Sequence, residues 1–147
     1  MKRKIIGFTD GVFDMFHVGH LNMIRQAKAR CDYLIVGVHS DEIVESYKHR
    51  KTVINEKNRC EIVGAIKEVD KAVINYTRDK IELWQKYHFD IIFVGDDWKG
   101  TERWNSFEKQ LAEYGVSVEY IPYTKGISTT DIRKQLGEKI LTETDKS

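Results

Sequence analysis

Two histidines, His17 and His20, stand three positions apart around Gly19 in the run Gly11-Val12-Phe13-Asp14-Met15-Phe16-His17-Val18-Gly19-His20. Imidazoles at that spacing can both donate hydrogen bonds to phosphate oxygens. The run follows an apolar stretch, Ile5-Ile6-Gly7-Phe8, and precedes Leu21 to Lys28, where apolar residues recur at helical spacing. It therefore reads as a strand-to-helix turn, in which unpaired backbone N–H groups and the positive end of the helix dipole favour an anion. A His-x-x-His pair alone is equally a capping turn; motif and setting together point to an enzyme that handles phosphate. A zinc site would need more ligands, and Cys31 and Cys60 stand isolated.

A second candidate lies far downstream, in Gly126-Ile127-Ser128-Thr129-Thr130-Asp131-Ile132-Arg133. Ser128 is placed to cap a helix, Thr129 and Thr130 put hydroxyls in its first turn, and Gly126 lets the backbone approach a ligand closely. Arg133 adds a fixed positive charge one turn further on. Between the two, Tyr47-Lys48-His49-Arg50-Lys51 lacks apolar periodicity and reads as a basic loop.

Gly11-Val12-Phe13-Asp14, His17-Val18-Gly19-His20 and Gly126-Ile127-Ser128-Thr129-Thr130, in that order, resemble the signature motifs of the cytidylyltransferases, the HxGH nucleotidyltransferases that make CDP-alcohols. The resemblance runs from the first strand to about Leu136. It implies transfer of CMP from CTP to an alcohol phosphate with release of diphosphate, His17, His20 and Lys48 being catalytic. Lys48 would touch phosphates of both substrates, with Lys51 as the local rival for that role. The resemblance also implies a nucleotide pocket built from Gly11, Val12, Phe13, Asp14, Arg59, the Gly126 to Thr130 run and Arg133. Gly95-Asp96-Asp97-Trp98 is most similar to the glycerol-phosphate branch, where Gly95, Asp96 and Asp97 would meet the cytosine. Asp14 or Asp97 is the expected ligand of the Mg2+ that accompanies CTP, and no organic cofactor is implied.

Two departures from the family pattern bear on the acceptor and the nucleotide. Tyr123 stands where relatives carry an arginine, leaving Lys125 or Arg133 to compensate, and Asn75-Tyr76 replaces a tryptophan near the acceptor. Tryptophan is the best wall for a quaternary ammonium, so a neutral polyol phosphate such as glycerol 3-phosphate suits the chain better than choline phosphate, with Tyr76 as an acceptor contact. Glycerol 2-phosphate, ethanolamine phosphate, ATP as donor, and a CTP-binding module without turnover stay open. The family is commonly homodimeric.

The elements that must position these residues follow from the rest of the chain. With 147 residues, one domain (1–140) with a loose tail (141–147) is expected. Lys and Arg (24) nearly balance Asp and Glu (23), so no global field selects nucleic acid or membrane as a partner. Two unrelated cysteines, no long apolar segment and a start that enters a strand at once lead to the expectation of a cytoplasmic protein without membrane insertion.

Strands are expected at 4–8, 33–38, 71–75, 90–95 and 116–121, and helices at 18–30, from 40, from 55, at 79–87, at 107–114 and after Ser128. Ile62, Val63, Ile66 and Val69 form the stripe of the third helix, and Gly115 closes the fifth. Such alternation makes a Rossmann-like, doubly wound α/β fold, a five-stranded parallel sheet with helices on both faces. Ligands of such sheets gather beyond the carboxyl ends of the strands, so the turns after strands one, four and five should open onto one crevice.

Overall fold

Continuous apolar runs such as Leu34-Ile35-Val36 can be buried on both faces only if helices cover both, and the chain supplies a helix after every strand. The computed structural model describes residues 3–122, 124 and 126–137. Tyr123, Lys125 and the expected tail lie outside them. Strands β1 (Ile6–Gly11), β2 (Tyr33–His39), β3 (Lys71–Asn75), β4 (Ile91–Gly95) and β5 (Ser117–Ile121) form one parallel sheet in the order β3-β2-β1-β4-β5. The order reverses between β1 and β4, which opens the crevice of a doubly wound sheet at their carboxyl ends.

Helices α1 (Val18–Lys28), α2 (Asp41–Lys48), α3 (Glu56–Gly64), α4 (Lys80–Tyr87), α5 (Glu102–Ala112) and α6 (Thr129–Gln135) complete the chain. On one face of the sheet Phe8, Ile35, Ile92 and Val94 pack with Leu83, Trp104 and Leu111 from α4 and α5. On the other, Leu34, Val36, Val38 and Phe93 pack with Ile24 and Ala27 of α1 and Val63 of α3. Alternate residues of β2 thus serve opposite cores, as the pleat requires.

Several expected boundaries move, among them that of β1, expected at 4–8 and found at Ile6–Gly11. The basic run does not begin at Tyr47: Tyr47 and Lys48 form the last turn of α2, which ends on His49 in the left-handed region at φ 57°. The Tyr47 hydroxyl, 2.8 Å from His39 Nδ1, holds that turn against β2. Helix α5 starts at Glu102 because Thr101 Oγ1 caps it by accepting from the Trp104 N–H, and Trp104 is buried. Helix α3 stops at Gly64, so Ile66 and Val69 pack against the core from the segment after it, and Ile62 is exposed.

Candidate active site

The turn after β1 is shaped by its own histidines. His17 Nδ1 accepts the Gly19 N–H (3.0 Å) and His20 Nδ1 accepts the His17 N–H (3.2 Å), a reciprocal cap at the start of α1. Each neutral ring therefore carries its proton on Nε2, the atom left to donate to a ligand. The rings stack with centroids 3.8 Å apart. A side chain at position 19 would meet the His17 ring at 2.8 Å, so the close stack depends on Gly19.

Both imidazoles are neutral near pH 7. Burial lowers the pKa of His17; burial and the neighbouring His17 lower that of His20 to about 3. They are hydrogen-bond donors, and the positive charge must come from elsewhere.

The loop before α6 meets this turn. Thr129 Oγ1 donates to the Asp14 carbonyl (3.0 Å), and Asn22 Nδ2 of α1 donates to Thr124 Oγ1 (3.1 Å). Ser128 Oγ caps α6 by accepting from the Asp131 N–H, which leaves its own O–H to donate. Two lobes of one crevice result. The first, about 460 Å³, runs from Asp10 and Gly11 through Val12, Phe13 and Asp14 to Gly95 and Asp97 and reaches Lys51, Thr129 and Arg133. The second, about 370 Å³, is lined by His17, Gly19, Ile127, Ser128, Thr129 and Thr130. Phe13, His20, Lys48, Arg50, Gly95, Trp98 and Thr129 belong to both, so His20 and Lys48 stand where the lobes join. The three turns expected to share one crevice do share it.

Charge is concentrated at the junction. Lys48 is exposed at the end of α2 with its pKa lowered by desolvation and then by the nearby Arg50, Arg133 and Arg78. Asp14, paired with Arg133, offsets part of this positive charge. Lys51 lines the first lobe and its carbonyl accepts from Arg133 (3.3 Å). Arg50 and Arg78 were missed by sequence reasoning; Arg50 lies inside the basic run, which was the available signal, and Arg78 had none.

Other expectations are corrected. Arg59 does not line the crevice: it is fully buried, donating to the carbonyls of Val12 (2.7 Å), His39 (2.9 Å) and Ile54 (2.8 Å) and pairing with Asp41. It holds the loop carrying Val12 from behind. Tyr76 is 67% exposed and lines a separate hollow with Thr77, Lys86 and Tyr87, so it does not reach the crevice. Asp96 is exposed and lines neither lobe, and Gly126 serves the turn before α6, with φ 86°.

Asp14 does not fit a magnesium ligand. Its carboxylate accepts the N–H groups of Val53 (2.7 Å) and Ile54 (2.9 Å) and pairs with Arg133 (3.1 Å), which occupies it as a structural anchor. Asp97 is exposed on the first lobe, and among the described residues no three His, Cys, Asp or Glu side chains gather as a metal cage.

A sequence model of the cytidylyltransferase-like family matches residues 8–135. The chain belongs to that family. It is 37% identical over 142 residues to the glycerol-3-phosphate cytidylyltransferase of Bacillus spizizenii strain W23, covering 91% of this chain and 97% of that protein. The fold is similar to that of a lipopolysaccharide core biosynthesis protein from Thermoplasma volcanium GSS1, with TM-score 0.71, 25% identity, and coverage of 85% of this chain and all of that one. It is also similar to pantoate-beta-alanine ligase from Francisella tularensis, with TM-score 0.60, 16% identity, and 90% and 69% of the two chains covered. The second likeness concerns the fold alone. The family match embraces both turns, from within β1 to α6, so the cytidylyltransferase pattern and the two-lobed crevice are carried by the same residues.

Proposed function

We propose that the protein transfers CMP from CTP to glycerol 3-phosphate, giving CDP-glycerol and diphosphate. The observation that carries the reading is the junction: a neutral donor, His20, and a cation, Lys48, face both lobes at once, so a nucleotide in one and an alcohol phosphate in the other meet between them. CTP fills the second lobe, its phosphates against His17, His20 and the Ser128 and Thr130 hydroxyls. The acceptor fills the first.

A phosphate monoester oxygen is already ionised, so no strong general base is needed. That oxygen bonds to the α-phosphorus as the bond from phosphorus to the β-phosphate oxygen breaks, and diphosphate leaves. The site's contribution is alignment and neutralisation of the charge on the equatorial and leaving oxygens. His17 and His20 donate from Nε2; Lys48, Arg50 and Arg133 supply charge. Magnesium accompanying CTP would find the exposed Asp97 carboxylate at the first lobe, with phosphates and water as its other ligands, and would neutralise phosphate charge.

The reading extends to a homodimer acting in the cytoplasm, with CDP-glycerol destined for a cell-surface polymer; light scattering tests the dimer. None of the helices among the described residues is long and apolar enough to cross a membrane. Side-by-side diphosphate release with CTP or ATP, and with glycerol 3-phosphate, glycerol 2-phosphate, ethanolamine phosphate or choline phosphate, tests the reaction. Turnover only with CTP and glycerol 3-phosphate is expected; turnover only with ATP, or only with another acceptor, overturns the assignment.

A further inference from the structure

The end of the first lobe around Asp10 contains an aromatic and anionic cage that the protein fills itself. Asp10, the penultimate residue of β1, puts its carboxylate there, 10% exposed. Lys80, the first residue of α4, reaches it at 2.6 Å, and its side chain is only 6% exposed. His39 Nε2 lies 3.3 Å from the same Oδ2. Burial on its own would raise the pKa of Asp10, but the Lys80 charge and His39 hold it below the usual carboxylate range, so the carboxylate is ionised. Two aromatic rings wall the same end, and each already faces a cation of the chain: Lys80 Nζ is 5.7 Å from the Trp104 ring centre and the Arg78 guanidinium is 3.7 Å from that of Tyr47.

A carboxylate between aromatic rings is the chemistry that recognises an alkylammonium. Here that chemistry is satisfied internally, and a second cation brought to Lys80 would meet like charge in a poorly hydrated site. We propose that Lys80 is a specificity-determining residue of the acceptor lobe, occupying the place a cationic alcohol headgroup would take against Asp10 and restricting the acceptor to neutral, hydroxyl-bearing alcohol phosphates. This rests on the assignment of the acceptor to the first lobe. Among the described residues every contact to Asp10 falls on Oδ2, so Oδ1 remains to accept from a ligand hydroxyl.

The test is calorimetric binding of choline phosphate and of glycerol 3-phosphate to the wild type, Lys80→Gln, Lys80→Met and the double variant Asp10→Asn/Lys80→Gln, with circular dichroism as the check of folding. Lys80→Gln keeps a hydrogen bond to Asp10 without the charge, and Lys80→Met keeps the packing of the stem. In whichever single variant folds, the affinity ratio of choline phosphate to glycerol 3-phosphate should rise about tenfold or more over wild type, a shift of the size one desolvated cation site gives. The double variant should return it towards the wild-type value. An unchanged ratio in the folded single variants, or a rise that persists in the double variant, overturns the proposal. Binding is read without turnover, so a wild type that fails to release diphosphate from CTP and glycerol 3-phosphate would reject the proposed reaction while the ratio still decides the role of Lys80.

Discussion

Replacing His20 by alanine should lower kcat by about a hundredfold, the effect of losing one donor to transition-state charge, while Lys48→Ala should lower kcat and raise KM for both substrates because Lys48 faces both lobes. Steady-state diphosphate release checks both, and Lys51→Ala, at the rim of the first lobe only, should affect the acceptor alone. The histidines also set a pH dependence. Unfolded His20 takes up a proton near its ordinary pKa of 6.5, whereas in the fold it does so only at about 3. Between those values the unfolded state binds more protons, so stability contributed by this group is present above 6.5 and is lost as pH falls towards 3. Urea midpoints measured from pH 7 to pH 4 should fall less steeply for His20→Gln than for the wild type. The His17-x-Gly-His20 and Ser128 motifs were legible because their chemistry is local to a turn. The Asp10–Lys80 pair was not, since its partners lie 70 positions apart and neither belongs to a motif. Arg59 misled because the resemblance places it in the nucleotide pocket, and only the fold shows its guanidinium turned inwards onto buried carbonyls.

At the scale of the element, caps decided where sequence reasoning succeeded. Ser40, Asn55 and Ser128 each accept an N–H at the start of the helix they precede, as their residue types suggest. Thr101 does the same for α5, and overlooking it delayed the expected start of that helix from Glu102 to Phe107. Thr101→Ala should cost about 1 kcal/mol of stability by denaturant titration, since it removes the cap of α5 and the bond from Thr101 Oγ1 to the Trp98 carbonyl (2.8 Å). Arg59 links three elements, tying the Val12 loop to the end of β2 and the segment before α3. Arg59→Met strands those buried carbonyls and should cost roughly 3 kcal/mol, with a lower Tm and a weakened grip on both substrates. An exposed catalytic arginine would instead lower kcat and leave Tm in place.

For the whole molecule, the alternation of strands and helices made the doubly wound sheet legible, and the reversal of order between β1 and β4 explains why motifs over 100 residues apart share a crevice. What sequence alone did not show is that this crevice has two lobes meeting at His20 and Lys48, since that depends on how the ends of β1, β4 and α2 are set against one another. A structure with CDP-glycerol bound tests this most directly. The diphosphate oxygens should lie within about 3.2 Å of His20 Nε2 and Lys48 Nζ, with cytidine in the lobe of Ser128 and glycerol in the lobe of Asp10. A diphosphate bound away from the histidine turn, or both ends of the ligand in a single lobe, would contradict the account.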